Sequence, residues 1–389
     1  MSKIPTLRFK EFNGDWKENK FENIFNFSTG KNIKQNEASP EFEIPCVRYG
    51  ELYHMYNEII SNVINSTNLD KSELVFSQGN EILLPSAGED PLDIGSASAL
   101  TIPNIAIGRT INILRPLSDN VYSQKYVSYY INQKLRRTIS TLAKGSSISN
   151  VYNSDLKKLN IFLPSLIEQE KIASFLNQVD TKIEQLTKKE KLLQQYKKGV
   201  MQKIFNQEIR FQADDGSEFC DWEEKRLKEV LDYEQPTKYI VESTEYNGNY
   251  NTPVLTAGKT FILGYTNEEN GIYTNSPVII FDDFTTANHY VDFDFKVKSS
   301  AMKLLKEKNE NICLKFVYEF IQKLHFPIGE HKRYWISEYS YLKIKLPCLE
   351  EQNKIANFLS SIDTKIEQTQ KQLEKTKEFK KALLQQMFV

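Results

Sequence analysis

The chain has 389 residues, with 50 Lys and Arg against 51 Asp and Glu for a net charge of -1, and is 40% hydrophobic and 12% aromatic. Such a composition can fill real cores, which excludes a largely disordered chain, and the length exceeds the usual limit of one core, which predicts two or more domains. Balanced charge argues against a protein that coats nucleic acid by bulk attraction, and a mean hydropathy of -0.50, with no apolar run near about 18 residues, excludes a transmembrane helix. The opening MSKIPTLRFKEFNGDW lacks the apolar stretch of a secretory signal, so the expected compartment is the cytoplasm and no membrane partner is expected.

In chain order, a short segment carrying Arg8-Phe9 and Asp15-Trp16 comes first. Residues 31–160 follow, where VRYGELY, EILLPSAGEDPLDIGSASAL and NIAIGRTINILRP read as β-branched strands punctuated by Gly and Pro turns, closed by a helical stretch over 122–142. A long helix is predicted after Pro164, because proline tolerates a helix start but not an interior. The pattern then restarts with Arg210-Phe211 and Asp221-Trp222, a second strand-and-turn region over 236–343, a helix over 311–324, and a second long helix.

That restart is an internal repeat. LPSLIEQEKIASFLNQVDTKIEQ at 163–185 and LPCLEEQNKIANFLSSIDTKIEQ at 346–368 lie 183 residues apart and agree at 16 of 23 positions, which chance does not produce. The regions between them share little identity, so the chain is a variable α/β head followed by a common helix, written twice. The first helix places Ile172, Leu176, Val179, Ile183, Leu186, Leu193, Val200 and Ile204 at steps of three and four, interrupted by Glu190 and Lys197. The second places Ile355, Leu359, Ile362, Ile366, Leu373, Leu383 and Met387, interrupted by Thr369, Thr376 and Lys380. Roughly 40 residues make a helix about 60 Å long, and one apolar stripe of that length needs a partner. Antiparallel pairing makes the connection through the second head short and predicts heads at opposite ends of a rod. The expected fold is α+β, with heads at 1–160 and 207–345 and an antiparallel two-helix coiled coil made from 161–206 and 346–389.

Catalytic signatures are missing. Cys46, Cys220, Cys313 and Cys348 are scattered without a CxxC, the four histidines do not cluster, and no phosphate-binding glycine loop or nucleophile motif is present. Among the acidic pairs Glu89-Asp90, Asp214-Asp215 and Asp282-Asp283, the last follows the apolar run VIIF and is the best placed for carboxylate chemistry, although adjacent acids ordinarily mark a solvated turn. The expectation is a binding protein with no catalytic residue, metal or cofactor of its own.

The duplicated LP-x-L-x-EQ-x-KIA-x-FL and DTKIEQ segments, each following a different head, resemble the specificity (S) subunits of type I restriction-modification enzymes over essentially the whole chain. The resemblance implies two target-recognition domains that each read half of a split double-stranded DNA site. It also implies repeat helices that set the spacer and dock two methyltransferase (modification) subunits, with restriction subunits completing the nuclease. S-adenosylmethionine, Mg and ATP would then belong to those partners.

Base contacts do not follow from the resemblance, and side-chain type suggests them instead. In the first head, Lys134, Arg136, Arg137 and Lys144 border the polar run Gly145-Ser146-Ser147-Ile148-Ser149-Asn150, a mix suited to phosphates and base edges or to a solvated helix face. Arg109 suits guanine or a structural ion pair. In the second head, Thr285, Thr286, Asn288 and His289 form a loop rich in donors and acceptors. Lys332 and Arg333 sit beside Tyr334 and Trp335, suited to backbone grip and base stacking or to a core. A departure from the Ser-rich form leaves the equivalence of the two basic loops open. Two other readings compete: a bivalent adaptor for protein or glycan ligands, and an enzyme built on Asp282 and Asp283.

Overall fold

The computed structural model describes residues 4–145, 148–258, 260–328 and 332–389. Two compact units emerge, one from Met1–Thr187 with Gln372–Val389 and one from Lys188–Lys371. The boundaries fall inside both long helices, which run Leu166–Phe205 and Leu349–Gln386. Each unit therefore contains a head, the first half of the helix that follows it, and the last half of the other helix.

Within each unit the two helix segments pack antiparallel. In the first, Lys380 of the second helix meets Asp180 of the first at 2.7 Å. In the second, Lys197 meets Asp363 at 2.7 Å and Gln370 donates to Glu190 at 2.8 Å. Ile172, Leu176, Val179, Leu186, Ile355, Leu359, Ile362 and Leu373 are buried, whereas Ile183, Leu193 and Ile366 are half-buried. Their burial is not against the partner helix alone. Ile172 and Leu176 share a core with Trp16, Tyr126 and Ile161 of the first head and with Leu383, Met387 and Phe388. Ile355 and Leu359 share one with Val317, Phe320 and Ile344 of the second head and with Ile204 and Phe205. An apolar stripe of this width serves two neighbours at once, which a two-helix reading of the sequence does not anticipate.

The heads are different sequences on one scaffold. In the first, a mixed sheet orders its strands Phe25–Thr29, Ile111–Pro116, Glu81–Pro85, Ser98–Leu100 and Ile59–Ile60. In the second, the order is Leu231–Glu234, Met302–Glu307, Val278–Asp282 and Asn288–Val291. The all-buried runs EILLP and VIIF occupy the same interior place, as strands covered on both faces should. A smaller sheet in each head carries a parallel pair, Ile44–Val47 with Pro103–Ile107 and Thr252–Leu255 with Lys296–Val297. Entry and exit strands are also paired, Lys17–Lys20 with Asn160–Leu163 and Glu223–Arg226 with Lys343–Leu346.

The repeat's Glu-Gln pair explains how head and helix are joined. Gln169 accepts from the backbone N–H of Ser123, just before the head helix Gln124–Tyr130, and donates to the Pro164 carbonyl, both at 2.9 Å. Gln352 does the same between Cys313 N–H (2.8 Å) and the Pro347 carbonyl (2.9 Å) ahead of Leu314–Lys323. One amide thus satisfies an orphan helix donor and the helix-start carbonyl together. The neighbouring Glu168 and Glu351, each buried, take Arg8 and Arg210 from the Arg-Phe segments at 2.7 and 2.9 Å. Among the described residues no helix is long and apolar enough to cross a membrane, and no group of His, Cys, Asp or Glu is placed to hold a metal ion.

Candidate nucleic-acid interface

In both heads, one loop is held by the same two backbone bonds. The loop after Glu81–Pro85 is fixed by Ser86, whose N–H donates to the Thr110 carbonyl (2.8 Å) and whose carbonyl accepts from Val151 (2.9 Å). The loop after Val278–Asp282 is fixed by Asp283, which bonds Ala301 (3.1 Å) and Tyr334 (2.7 Å) in the same way. Val151 and Tyr334 therefore stand in equivalent places, and so do the residues before them, Asn150 and Arg333. The closing ends of the two basic segments, whose equivalence the sequence leaves open, thus occupy the same position in the two heads.

This arrangement gathers several of the candidates in each head. In the first, Arg109 precedes Thr110 and is exposed, and its backbone N–H donates to Asn32 (2.9 Å) while Lys31 donates to Ile107 (3.1 Å). Lys31, also exposed, thus joins Arg109 at one edge, a residue missed because a lone lysine after a strand carries no signal in sequence. Lys144 and Asn150 exchange two backbone hydrogen bonds, and Ser149–Asn150 pairs with Ala87–Gly88. Gly145 has φ +140°, and a Cβ there would lie 2.0 Å from the Ile148 carbonyl, so only glycine fits this bend. Ser146 and Ser147 lie outside the described residues. Lys144 also pairs with Asp155 at 3.1 Å, and this hydrogen bond holds the Asp155 carboxyl below its usual range.

The other first-head candidates lie on the helical stretch that precedes Lys144. Arg136 donates to the Leu92 carbonyl (2.9 Å) and faces Asp93 (3.5 Å), fastening its helix to the turn Pro91–Ile94. Lys134 lies half-buried where the helix widens to π geometry over Ile131–Leu135, and Arg137 is exposed on the next turn.

In the second head, Asp282 shapes the hairpin: its carboxylate accepts from Phe284 and Thr285 at 2.8 Å, and Thr286 takes φ 57°. Thr285 is exposed at the tip beside this turn. Asn288 is committed internally, donating to the Thr286 carbonyl (3.0 Å) and accepting from Gln322 (2.6 Å). His289 stacks on Phe261 with centroids 4.4 Å apart. Arg333 is exposed, and Lys332 pairs with Glu338. Of the two places the sequence left open for Trp335, a stacking platform or the core, it takes the core. It is 2% exposed and packs on Phe281 and Tyr339, because the helical turn Tyr334–Ser337 points its indole into the sheet. Asp283 is likewise no free carboxylate: it is buried, faces the buried Lys303 ammonium at 3.6 Å and accepts from Trp335 N–H at 2.9 Å.

Burial pulls the His289 pKa below 6.5. With the folded pKa below the unfolded one, the unfolded chain binds the extra proton first as pH falls, so stability present above 6.5 is lost below it. We expect the second unit to melt at lower temperature near about pH 5 than near about pH 7, and His289→Phe, which keeps the stack, to flatten that slope. An unaltered slope in the variant would place the titrating group elsewhere.

A family model described as the type I restriction modification DNA specificity domain matches residues 13–194 and again 220–377. The EcoR124I/EcoR124II specificity subunit of Escherichia coli is 55% identical over 141 residues, about a third (35%) of either chain. The MjaVIII specificity subunit of Methanocaldococcus jannaschii is 25% identical over 368 residues, 85% of this chain and 82% of that one. The crystal structure of an S subunit from M. genitalium superposes with a TM-score of 0.73 over 99% of both chains at 18% identity, a likeness of fold.

Proposed function

This chain belongs to the type I restriction-modification DNA specificity family, and on that premise we propose that it chooses the DNA site for a methyltransferase complex without catalysing any step itself. The observation that carries the reading is the doubled match over 13–194 and 220–377, with unlike heads each followed by a copy of the same helix-start segment. Two unlike readers call for an asymmetric, interrupted target, because site symmetry mirrors protein symmetry. One reader takes residues 1–160 and the other 207–345, and the helices at 161–206 and 346–389 set the unread spacer and dock two modification subunits.

Each reader presents its edge to the major groove, where all four base pairs are distinguishable. Lys31, Arg109, Lys144 and Asn150 serve the first half-site, and Thr285, Thr286 and Arg333 the second. Residues 31–160 carry 13 basic and 13 acidic side chains, so phosphate neutralisation falls largely to partner subunits. Adenine methylation with S-adenosylmethionine, and any ATP- and Mg-dependent cleavage by restriction subunits, proceeds on those partners.

The test is methylome sequencing of a host carrying the methyltransferase with and without this chain. The expected result is one split, non-palindromic motif that disappears with the chain. In the same assay Arg109→Ala relaxes one half-site and Arg333→Ala the other, each by about 1–3 kcal/mol of discrimination. Absence of any split motif would overturn the reading, and loss of both halves from either substitution would overturn the assignment of edges.

A further inference from the structure

Four of the residues that break or border the apolar seams form two matching clusters. In the second unit the Lys197 ammonium meets Asp363 of the other helix at 2.7 and 2.8 Å and Glu319 of the head at 2.9 Å. In the first unit the Lys380 ammonium meets Asp180 at 2.7 Å and Glu58 of the head at 3.2 Å. The lysines are 183 residues apart, as are the aspartates, so the repeat has produced the same device twice. The lysine side chains are only 17% and 18% exposed, and Glu319 is fully buried. Burial alone would pull both ammonium pKa values down, yet the facing carboxylates, Glu319 and Asp363 in one and Glu58 and Asp180 in the other, raise them on balance.

The pairs share one register. Residue numbers total 560 in each: 180 with 380, 190 with 370, and 197 with 363. A slip of one heptad preserves the spacing of an apolar stripe but destroys every one of these pairs. One direction sets Lys197 against Ala356, Lys380 against Ala173 and Asp363 against Glu190; the other sets Lys197 against Gln370, Lys380 against Thr187 and Asp363 against Ile204. Both slips part each lysine from the aspartate it holds across the seam, leaving Asp363 to Lys315 and Asp180 to the Tyr129 hydroxyl, and a polar residue on an apolar seam is known to select register in this way.

We propose that Lys197–Asp363–Glu319 and Lys380–Asp180–Glu58 are positioning clusters that lock the register of the two helices, and through it the spacer length of the DNA target. The functional half of this statement rests on the specificity-subunit reading; the register half does not. One heptad moves a helix by about 10 Å, and at about 3.4 Å per base pair this alters the spacer by roughly three base pairs.

The experiment uses the full chain in its methyltransferase complex and two cysteine reporters mapped by peptide mass spectrometry. Glu190→Cys with Gln370→Cys reports the native register, and Glu190→Cys with Lys377→Cys reports the slipped one. With Lys197→Met and Lys380→Met, singly and together, the native cross-link should fall at least twofold and the slipped one rise. Methylome sequencing should then find unchanged half-sites joined by more than one spacer length. Lys197→Arg and Lys380→Arg, which keep the charge, should restore a single register and spacer. Unchanged cross-links and a single spacer in the methionine variants would overturn the proposal, as would failure of the arginine variants to restore them. A complex whose cross-links respond but which methylates no split site would sink the functional reading and leave the register inference standing.

Discussion

Asp283→Ala should cost the second unit about 3–5 kcal/mol, seen as a fall of roughly 10 °C in the melting temperature of the full chain. The reason is the group left behind. Lys303 is 1% exposed, its ammonium sits 3.6 Å from Asp283 and 4.7 Å from the centre of the Tyr233 ring, and burial already pulls its pKa down. Without the carboxylate this cation is stranded, and the Trp335 N–H, bonded to Asp283 at 2.9 Å, loses its acceptor. Adding Lys303→Met should recover most of the loss, because exchanging a buried pair for apolar side chains is often neutral. A variant that melts like the parent but loses a catalytic turnover of the purified chain would return Asp283 to the role of an active-site acid.

Glu351→Ala should destabilise the same unit by about 3 kcal/mol and by more than Glu168→Ala destabilises the other. Glu351 is fully buried, accepts from Arg210 at 3.0 and 2.9 Å and also from the Trp222 indole at 3.0 Å. Glu168 accepts from Arg8 at 2.7 and 2.8 Å, and the equivalent Trp16 indole has no hydrogen-bond partner among the described residues. The extra bond is worth about 1 kcal/mol. Hydrogen exchange read separately over the two units tests the order, and equal protection losses would count against it.

The repeat announced the helices, their pairing partner and their direction, because periodicity and connectivity are written in the order of residues. Its roles were less visible. The Glu-Gln pair was legible as a match between copies, yet its purpose needed Arg8, Arg210, Ser123 and Cys313, which lie far away in sequence and meet it only in the fold. The seam interruptions Lys197 and Lys380 read as defects until Glu319 and Glu58 of the heads came beside them. At the proposed interface, Arg109, Lys144 and Asn150 gather in the first head and Thr285 and Arg333 in the second, whereas Asn288 is bound by Gln322 and Trp335 is buried. Residue type predicts polarity, but whether a polar or aromatic group faces water is decided by a neighbour's surface. The equivalence of the closing ends of the two basic segments was hidden for the same reason: it resides in backbone bonds of Ser86 and Asp283, which no side chain records.

The ribbons Lys17–Lys20 with Asn160–Leu163, and Glu223–Arg226 with Lys343–Leu346, bring the chain into each head and out again side by side. A head is thereby a module whose two ends lie side by side, next to the start of the long helix that follows it. Exchange of the segment between those two strands would replace a whole head and leave the paired helices as they were.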